Sequence, residues 1–331
     1  MKQLSNSVMA RLQADMQMPD LHGTRYNVLR YLARGGMGSV WLAEDTVLQR
    51  RVALKVVDLP GPVDDLDARL LREAHILAGL EHPGIVPVHD AGTLPDGRAF
   101  YCMKYVEGQT LARYIANKSL QDKLRVIERI AEPLAFAHAR GFVHRDLKPG
   151  NIMFGAFGEV LVMDWGLARI GDGSLKLADT ETAGVAQPAQ HATRFTGQGG
   201  VLGTPGYMSP EQARGDADVD HRTDIFSLGA ILWFMLTESA PEEPSLAPGR
   251  VPRPLLAICE KAMAADPGAR YQSAGEMTAD VARYLNDEAV SAYPEGLLER
   301  ARRLFARHRT AVVLVAAYLL MRVLFILFTR R

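Results

Sequence analysis

The sequence predicts an α+β fold in two lobes, a strand-rich one followed by a helix-rich one. Three observations carry the prediction. From Tyr26 to about Cys102, apolar residues alternate in short runs broken by Gly turns. From Thr110 onward the apolar spacing turns helical. At 331 residues the chain is too long for one ordinary small core and suits two lobes with appendages. Such an order leaves a cleft between the lobes, where ligands bind.

The elements follow in order. Residues 1–25 are polar and Met-rich, lack the apolar core of a signal peptide, and read as a flexible leader. "YNVLRYLA" and "SVWLAED" are strands about a Gly-rich turn, and "RVALKVVDL" is the next strand. Leu66, Leu70, Leu71, Ala74, Leu77 and Leu80 recur at helical spacing over Val63 to Leu80, and His82-Pro83-Gly84 ends that helix. "GIVPVHDAG" and "AFYCMKYV" are two further strands. "LQDKLRVIERIAEPLAFAHARG" is an amphipathic helix closed by Gly141, and "DIFSLGAILWFMLT" is apolar all round, as a buried helix is. Residues 170–200 and 239–254 lack periodicity and read as loops, the first long enough to be functional.

Composition excludes some classes. Hydrophobic residues make up 48% and charged residues 23%, as in ordinary globular proteins, and the formal net charge of zero gives no reason to expect nucleic acid as a partner. Cys102 and Cys259 are far apart and read as buried thiols in a reducing compartment.

The chemistry is concentrated in a few motifs. Gly35, Gly36 and Gly38 let backbone N–H groups approach a polyphosphate. Lys55 sits among apolar residues of the next strand, where a charge is costly unless used. Glu73, between Leu70 and Leu77 on the helix, can supply the compensating carboxylate. "HRDLKPGN" then places Asp146, Lys148 and Asn151 in one Pro-stiffened loop. Asp146 can accept a proton from an incoming hydroxyl, Lys148 can reach a transferring phosphate, and Asn151 offers an oxygen to Mg²⁺. Asp164, after the apolar run "EVLVM", offers a second oxygen ligand.

With "GGMGSVWLAED", "HPGIVPVHDAG", "HRDLKPGN" and "GTPGYMSPEQARG" in this order, the chain resembles the eukaryotic-type protein kinases, and closely the bacterial membrane-attached Ser/Thr kinases. The resemblance covers roughly 26–286. It implies the two-lobed protein-kinase fold: a small antiparallel-sheet N-lobe with one helix over about 26–106, a larger helical C-lobe over about 107–286, and an activation segment over 164–211. It also implies ATP, with Mg²⁺ or Mn²⁺, in the cleft and protein Ser/Thr hydroxyls as acceptors.

The resemblance assigns roles by position. Leu32, Ala33, Arg34, Gly35, Gly36, Met37, Gly38, Ser39 and Val40 would cover the phosphates. Lys55 would hold the α- and β-phosphates and pair with Glu73. Asp146 would be the catalytic base, with Lys148 beside it and Asn151 and Asp164 as metal ligands. Val40, Ala53 and Met153 would enclose adenine, Met103 would be the gatekeeper, and Lys104, Tyr105 and Val106 the hinge. Thr204 and Lys148 match the Ser/Thr class. Glu211 would pair with Arg270, and Asp224 would brace the catalytic loop. Thr180, Thr182, Thr193 and Thr196 are candidate autophosphorylation sites opposite Arg145, and a homodimer acting in trans fits the type. Ala33, Trp165, Lys104 and a shortened 237–252 stretch depart from the family pattern.

The C-terminal part reads differently. Residues 287–310 carry a basic juxtamembrane segment with Arg300, Arg302, Arg303, Arg307 and Arg309. Ala311 to Phe328 is apolar except for Arg322 and near the lower length limit for a transmembrane helix. The positive-inside rule puts the kinase on the cytoplasmic side of a single pass in the cell membrane. Arg322 costs roughly 2.5–3.5 kcal/mol on insertion, which the other residues outweigh. The competing reading is a helix packed on the folded domain. Only Thr329, Arg330 and Arg331 follow, so no extracellular sensor is expected.

The expectation is an ATP-dependent protein Ser/Thr kinase attached to the lipid bilayer. The alternative is a pseudokinase scaffold that binds nucleotide without transfer. A small-molecule kinase on the same fold is a third reading, disfavoured by the "GTPGYMSPE" segment.

Overall fold

The computed structural model describes residues 18–34, 38–57, 64–165, 206–216, 219–239, 241, 251–300, 303, 313–315, 317–322 and 325, with the backbone alone for 64–69 and 72. Most of the leader, Gly35 to Met37, most of the activation segment with its five named threonines, and most of 237–252 lie outside these residues.

The strand-rich part is a five-stranded antiparallel sheet ordered β1-β2-β3-β5-β4. Its strands are β1 (Tyr26–Arg34), β2 (Gly38–Asp45), β3 (Arg50–Val57), β4 (Val88–Thr93) and β5 (Ala99–Lys104). Helix α1 (Asp64–Gly79) lies between β3 and β4 in the chain. Period-two alternation sorts the side chains of β3. Val52, Leu54 and Val56 join Trp41, Phe100 and Cys102 in a small outer cluster. Ala53 and Val57 join Leu70, Ala74 and Leu77 of α1 in the main core. Lys55 has the parity of Ala53 and Val57, which directs it to the α1 side.

The helical part opens with a short sheet, β6 (Gly108–Thr110), β7 (Ile152–Gly155) and β8 (Val160–Val162), and a short helix α2 (Leu111–Tyr114). Then comes α3 (Leu120–His138), whose Ser119 cap accepts from the Asp122 N–H at 3.1 Å. Gly141, at φ +78°, takes the left-handed turn after it. Helices α4 (Pro210–Arg214), α5 (Arg222–Thr237), α6 (Arg253–Ala262) and α7 (Ala274–Leu285) complete the lobe. Helix α5 is buried along most of its length, as its all-apolar pattern predicts. The main core is continuous from Ala53 and Tyr101 in the sheet through Leu124, Ile127 and Phe154 to Ile231 and Met277.

Among the described residues no helix is long and apolar enough to cross a membrane. The described part of 311–328 is helical at 313–315 and 317–322, and every described side chain there is exposed.

Candidate active site

Lys55 is 5% exposed, too buried to be a lysine lying along a strand edge. Its Nζ donates to Glu73 Oε1 at 3.0 Å and to Asp164 Oδ1 at 3.2 Å. Strand β3, helix α1 and the segment after β8 thus meet at one ammonium. Burial pulls the Lys55 pKa down, but Tyr101, Asp164 and Glu73 pull harder the other way, and it stands well above the ordinary lysine value. The Tyr101 hydroxyl also donates to Glu73 Oε1, at 2.8 Å.

The loop before β7 forms the second half of the site. Lys148 Nζ donates to Asp146 Oδ2 at 2.7 Å. Asn151 Nδ2 donates to the Asp146 carbonyl at 2.7 Å and to its Oδ2 at 3.2 Å. With the amide nitrogen engaged on Asp146, the Asn151 oxygen is left for a cation. Asp164 keeps its second carboxylate oxygen outside the Lys55 contact, and its side chain is 34% exposed. This all-oxygen donor set suits Mg²⁺ or Mn²⁺.

Asp224, fully buried on α5, braces this loop. It accepts from the backbone N–H of His144 at 2.8 Å and of Arg145 at 2.9 Å, and from His138 Nε2 at 2.8 Å. Burial raises its pKa, yet the bonds and charge of His138 and the charge and backbone N–H of His144 hold it below the usual carboxylate range. Arg145 stands at φ +65° and Asp164 at φ +52°, a region costly for side chains larger than Gly. Gln212 of α4 donates to the Arg145 carbonyl at 2.7 Å, so the strained peptide is held from both sides. Glu211 meets Arg270 in a two-pronged pair at 2.6 and 2.7 Å, as the resemblance implies.

Six of the residues that the resemblance assigns to the nucleotide lie in or against the main core. Ala53, Met103 and Val106 belong to the main core, and Leu32, Val40 and Met153 lie half-buried against it. Ala33 and Arg34 are exposed at the end of β1. Gly38 opens β2 so close to the Val56 carbonyl that a Cβ would collide with it. The Ser39 hydroxyl accepts from Trp41 Nε1 at 2.8 Å, so its side chain is engaged inside the sheet rather than over the cleft. Lys104 lies 3.8 Å from Glu159 across the hinge, and Arg30 donates to the Tyr105 hydroxyl at 3.3 Å.

Comparison with known proteins agrees with this geometry. The family model for the protein kinase domain matches residues 26–247. The chain belongs to the protein kinase family. This kinase is 36% identical over 298 residues to the serine/threonine-protein kinase PknD of Protochlamydia amoebophila, covering 78% of this chain and 30% of the relative. It is 37% identical over 303 residues to PknD of Chlamydia muridarum, covering 80% and 32%. The chain therefore spans about a third of the length of these curated relatives. Among solved structures, it is similar to the Mycobacterium tuberculosis PknI kinase domain, with a TM-score of 0.57, 26% identity, and 78% of this chain and 96% of that chain covered.

Tyr101, His138 and Gln212 escape a reading by motif. Period-two alternation on β5 puts Tyr101 on the α1 side, but nothing in the sequence says that its hydroxyl finds Glu73.

Proposed function

We propose that this chain is a protein serine/threonine kinase that moves the ATP γ-phosphoryl group to a protein hydroxyl. The observation that carries the reading is the convergence of Lys55, Glu73 and Asp164 at one point and of Asp146, Lys148 and Asn151 at another. A pseudokinase would have no need of both halves intact. The relatives named as Ser/Thr kinases support the same reading, and the SPE segment at Ser209-Pro210-Glu211, anchored through Arg270, favours a peptide acceptor over a metabolite.

In this mechanism Asp146 accepts the proton of the acceptor hydroxyl as its oxygen attacks the γ-phosphorus. The bond between that phosphorus and the β–γ bridging oxygen breaks, and ADP leaves. Lys148 neutralises charge on the transferring group, and Lys55, held by Glu73, orients the α- and β-phosphates. Val40, Ala53 and Met153 enclose adenine, with Met103 as gatekeeper and Val106 in the hinge beside it, and Leu32 helps cover the phosphates. Asn151 and Asp164 would hold Mg²⁺ or Mn²⁺, which supplies positive charge against the phosphates. Threonines of the activation segment, phosphorylated by a second copy of the chain, are candidate acceptors.

The reading extends to the bilayer. Val313, Leu314, Val315, Tyr318, Leu319, Leu320, Met321 and Phe325 are each more than half exposed, apolar surface that water does not favour. Insertion of 311–328, with the kinase on the cytoplasmic side of a cell membrane, would cover it.

Transfer from labelled ATP tests the first part. The full chain with Mg²⁺ and a basic acceptor protein should become labelled and label the acceptor, and Asp146→Asn should lose at least about a hundredfold in rate. Nucleotide binding without label in either would return the protein to the scaffold reading.

A further inference from the structure

We propose that Tyr101 is a positioning residue for phosphoryl transfer: its hydroxyl fixes Glu73, and through Glu73 it fixes Lys55. The proposal rests on the kinase reading above and adds a residue to its machinery. Register brings the three groups together. Lys55 on β3 is the direct cross-strand partner of Tyr101 on β5, so both side chains leave the sheet on the α1 side. Tyr101 is fully buried. One oxygen, Glu73 Oε1, accepts from the Tyr101 hydroxyl at 2.8 Å and from Lys55 at 3.0 Å. The other, Glu73 Oε2, is buried without a hydrogen bond. Among the described residues the whole hold on this carboxylate therefore passes through Lys55 and Tyr101. The Lys55 ammonium also lies 5.5 Å from the centre of the Tyr101 ring, within reach of its π face.

The arrangement has a consequence for turnover. Lys55 is shared between Glu73 and Asp164, and it must also meet the nucleotide phosphates. Each new partner weakens its grip on Glu73. Tyr101 has no such competing duty, so it keeps the carboxylate, and with it α1, docked on the sheet. A phenylalanine at 101 would keep the ring and its packing and remove only the hydroxyl.

The test is Tyr101→Phe in the full chain, alone and combined with Glu73→Ala. The single change should lower kcat/KM for ATP about tenfold or more, as losing a hydrogen bond to a charged group does, with KM for the acceptor unchanged. In the Glu73→Ala background the same change should have little further effect, since the acceptor of the Tyr101 hydroxyl is gone. A merely structural tyrosine would instead give equal losses in both backgrounds, or no kinetic loss at all, and either result overturns the proposal. Hydrogen exchange at the amides of 70–79 supplies a readout that needs no transfer: protection should fall in Tyr101→Phe, and unchanged protection would count against it. If the unaltered chain transfers no phosphate while that protection still falls, the kinase reading fails and the tether stands.

Discussion

Arg145 shows how a single residue can carry the cost of a site. Its left-handed backbone costs roughly 1–3 kcal/mol and persists only because its surroundings over-determine it. Asp224 holds its N–H and Gln212 its carbonyl, and Asp146 is the next residue along. Asp224→Asn removes one acceptor oxygen from a set of three buried donors. It should cost about 1–3 kcal/mol for each donor left unpaired, read as a lower urea midpoint with an unchanged slope, and kcat should fall with it. The motif named Asp224 as a brace, but only the structure adds His138 and Gln212 to it. Trp165 also resolves at this scale. Its ring is 1% exposed, lies 4.8 Å from that of His144, and donates to the Val162 carbonyl at 3.2 Å. This departure from the family pattern is absorbed by the core.

Among elements, α4 and α5 are pinned by contacts with neighbouring parts of the helical lobe. Helix α4 has five residues, too few to be stable alone. It is fixed by the Ser209–Gln212 capping box and by Glu211 on Arg270. Glu211→Ala leaves the Arg270 guanidinium, whose side chain is fully buried, without its carboxylate, and should cost about 3–5 kcal/mol in chemical denaturation. Helix α5 meets α6 at Gly229, where a Cβ would come within 2.6 Å of the Ala262 Cβ. Gly229→Val should therefore wedge the two helices apart at a cost of about 1–3 kcal/mol, seen as a lower melting temperature. The helical pattern of α5 was legible because it is uniformly apolar. The reason for a glycine inside it was not, since the close neighbour lies on a helix some thirty residues away.

At the scale of the molecule, Asp280 decides how the chain leaves the helical lobe. Fully buried, it accepts from Tyr271, Arg283, the Ser291 hydroxyl and the backbone N–H groups of Ser291 and Ala292. Burial works against its charge, but these bonds prevail and lower its pKa from 3.8 to about 2. A depressed carboxylate pKa contributes stability that is present above the unfolded value and lost as pH falls through the folded one. Acid unfolding should thus include a component between about pH 4 and pH 2 that Asp280→Asn lacks, measurable as stability against pH in the two proteins. A chain ending at 310 should lose any sedimentation with membranes that the full chain shows; retained sedimentation would show that 311–328 is not what attaches it.

The sequence by itself determined the two-part order of strands and helices, the family, and the identity of every polar group carried by a contiguous motif. Those follow from local rules: period-two and period-3.6 burial, glycine at turns, and fixed spacing within one loop. The resemblance implied the Lys55–Glu73 and Glu211–Arg270 pairs and the bracing by Asp224; tertiary structure alone decided the contacts beyond them. Lys55 and Asp164 are far apart in the chain and 3.2 Å apart in space, Tyr101 reaches Glu73 from a neighbouring strand, and Asp280 reaches forward to Ser291. Hydrogen bonds of this kind depend on register and on the depth at which helices dock, and both are set by the packing of the whole core.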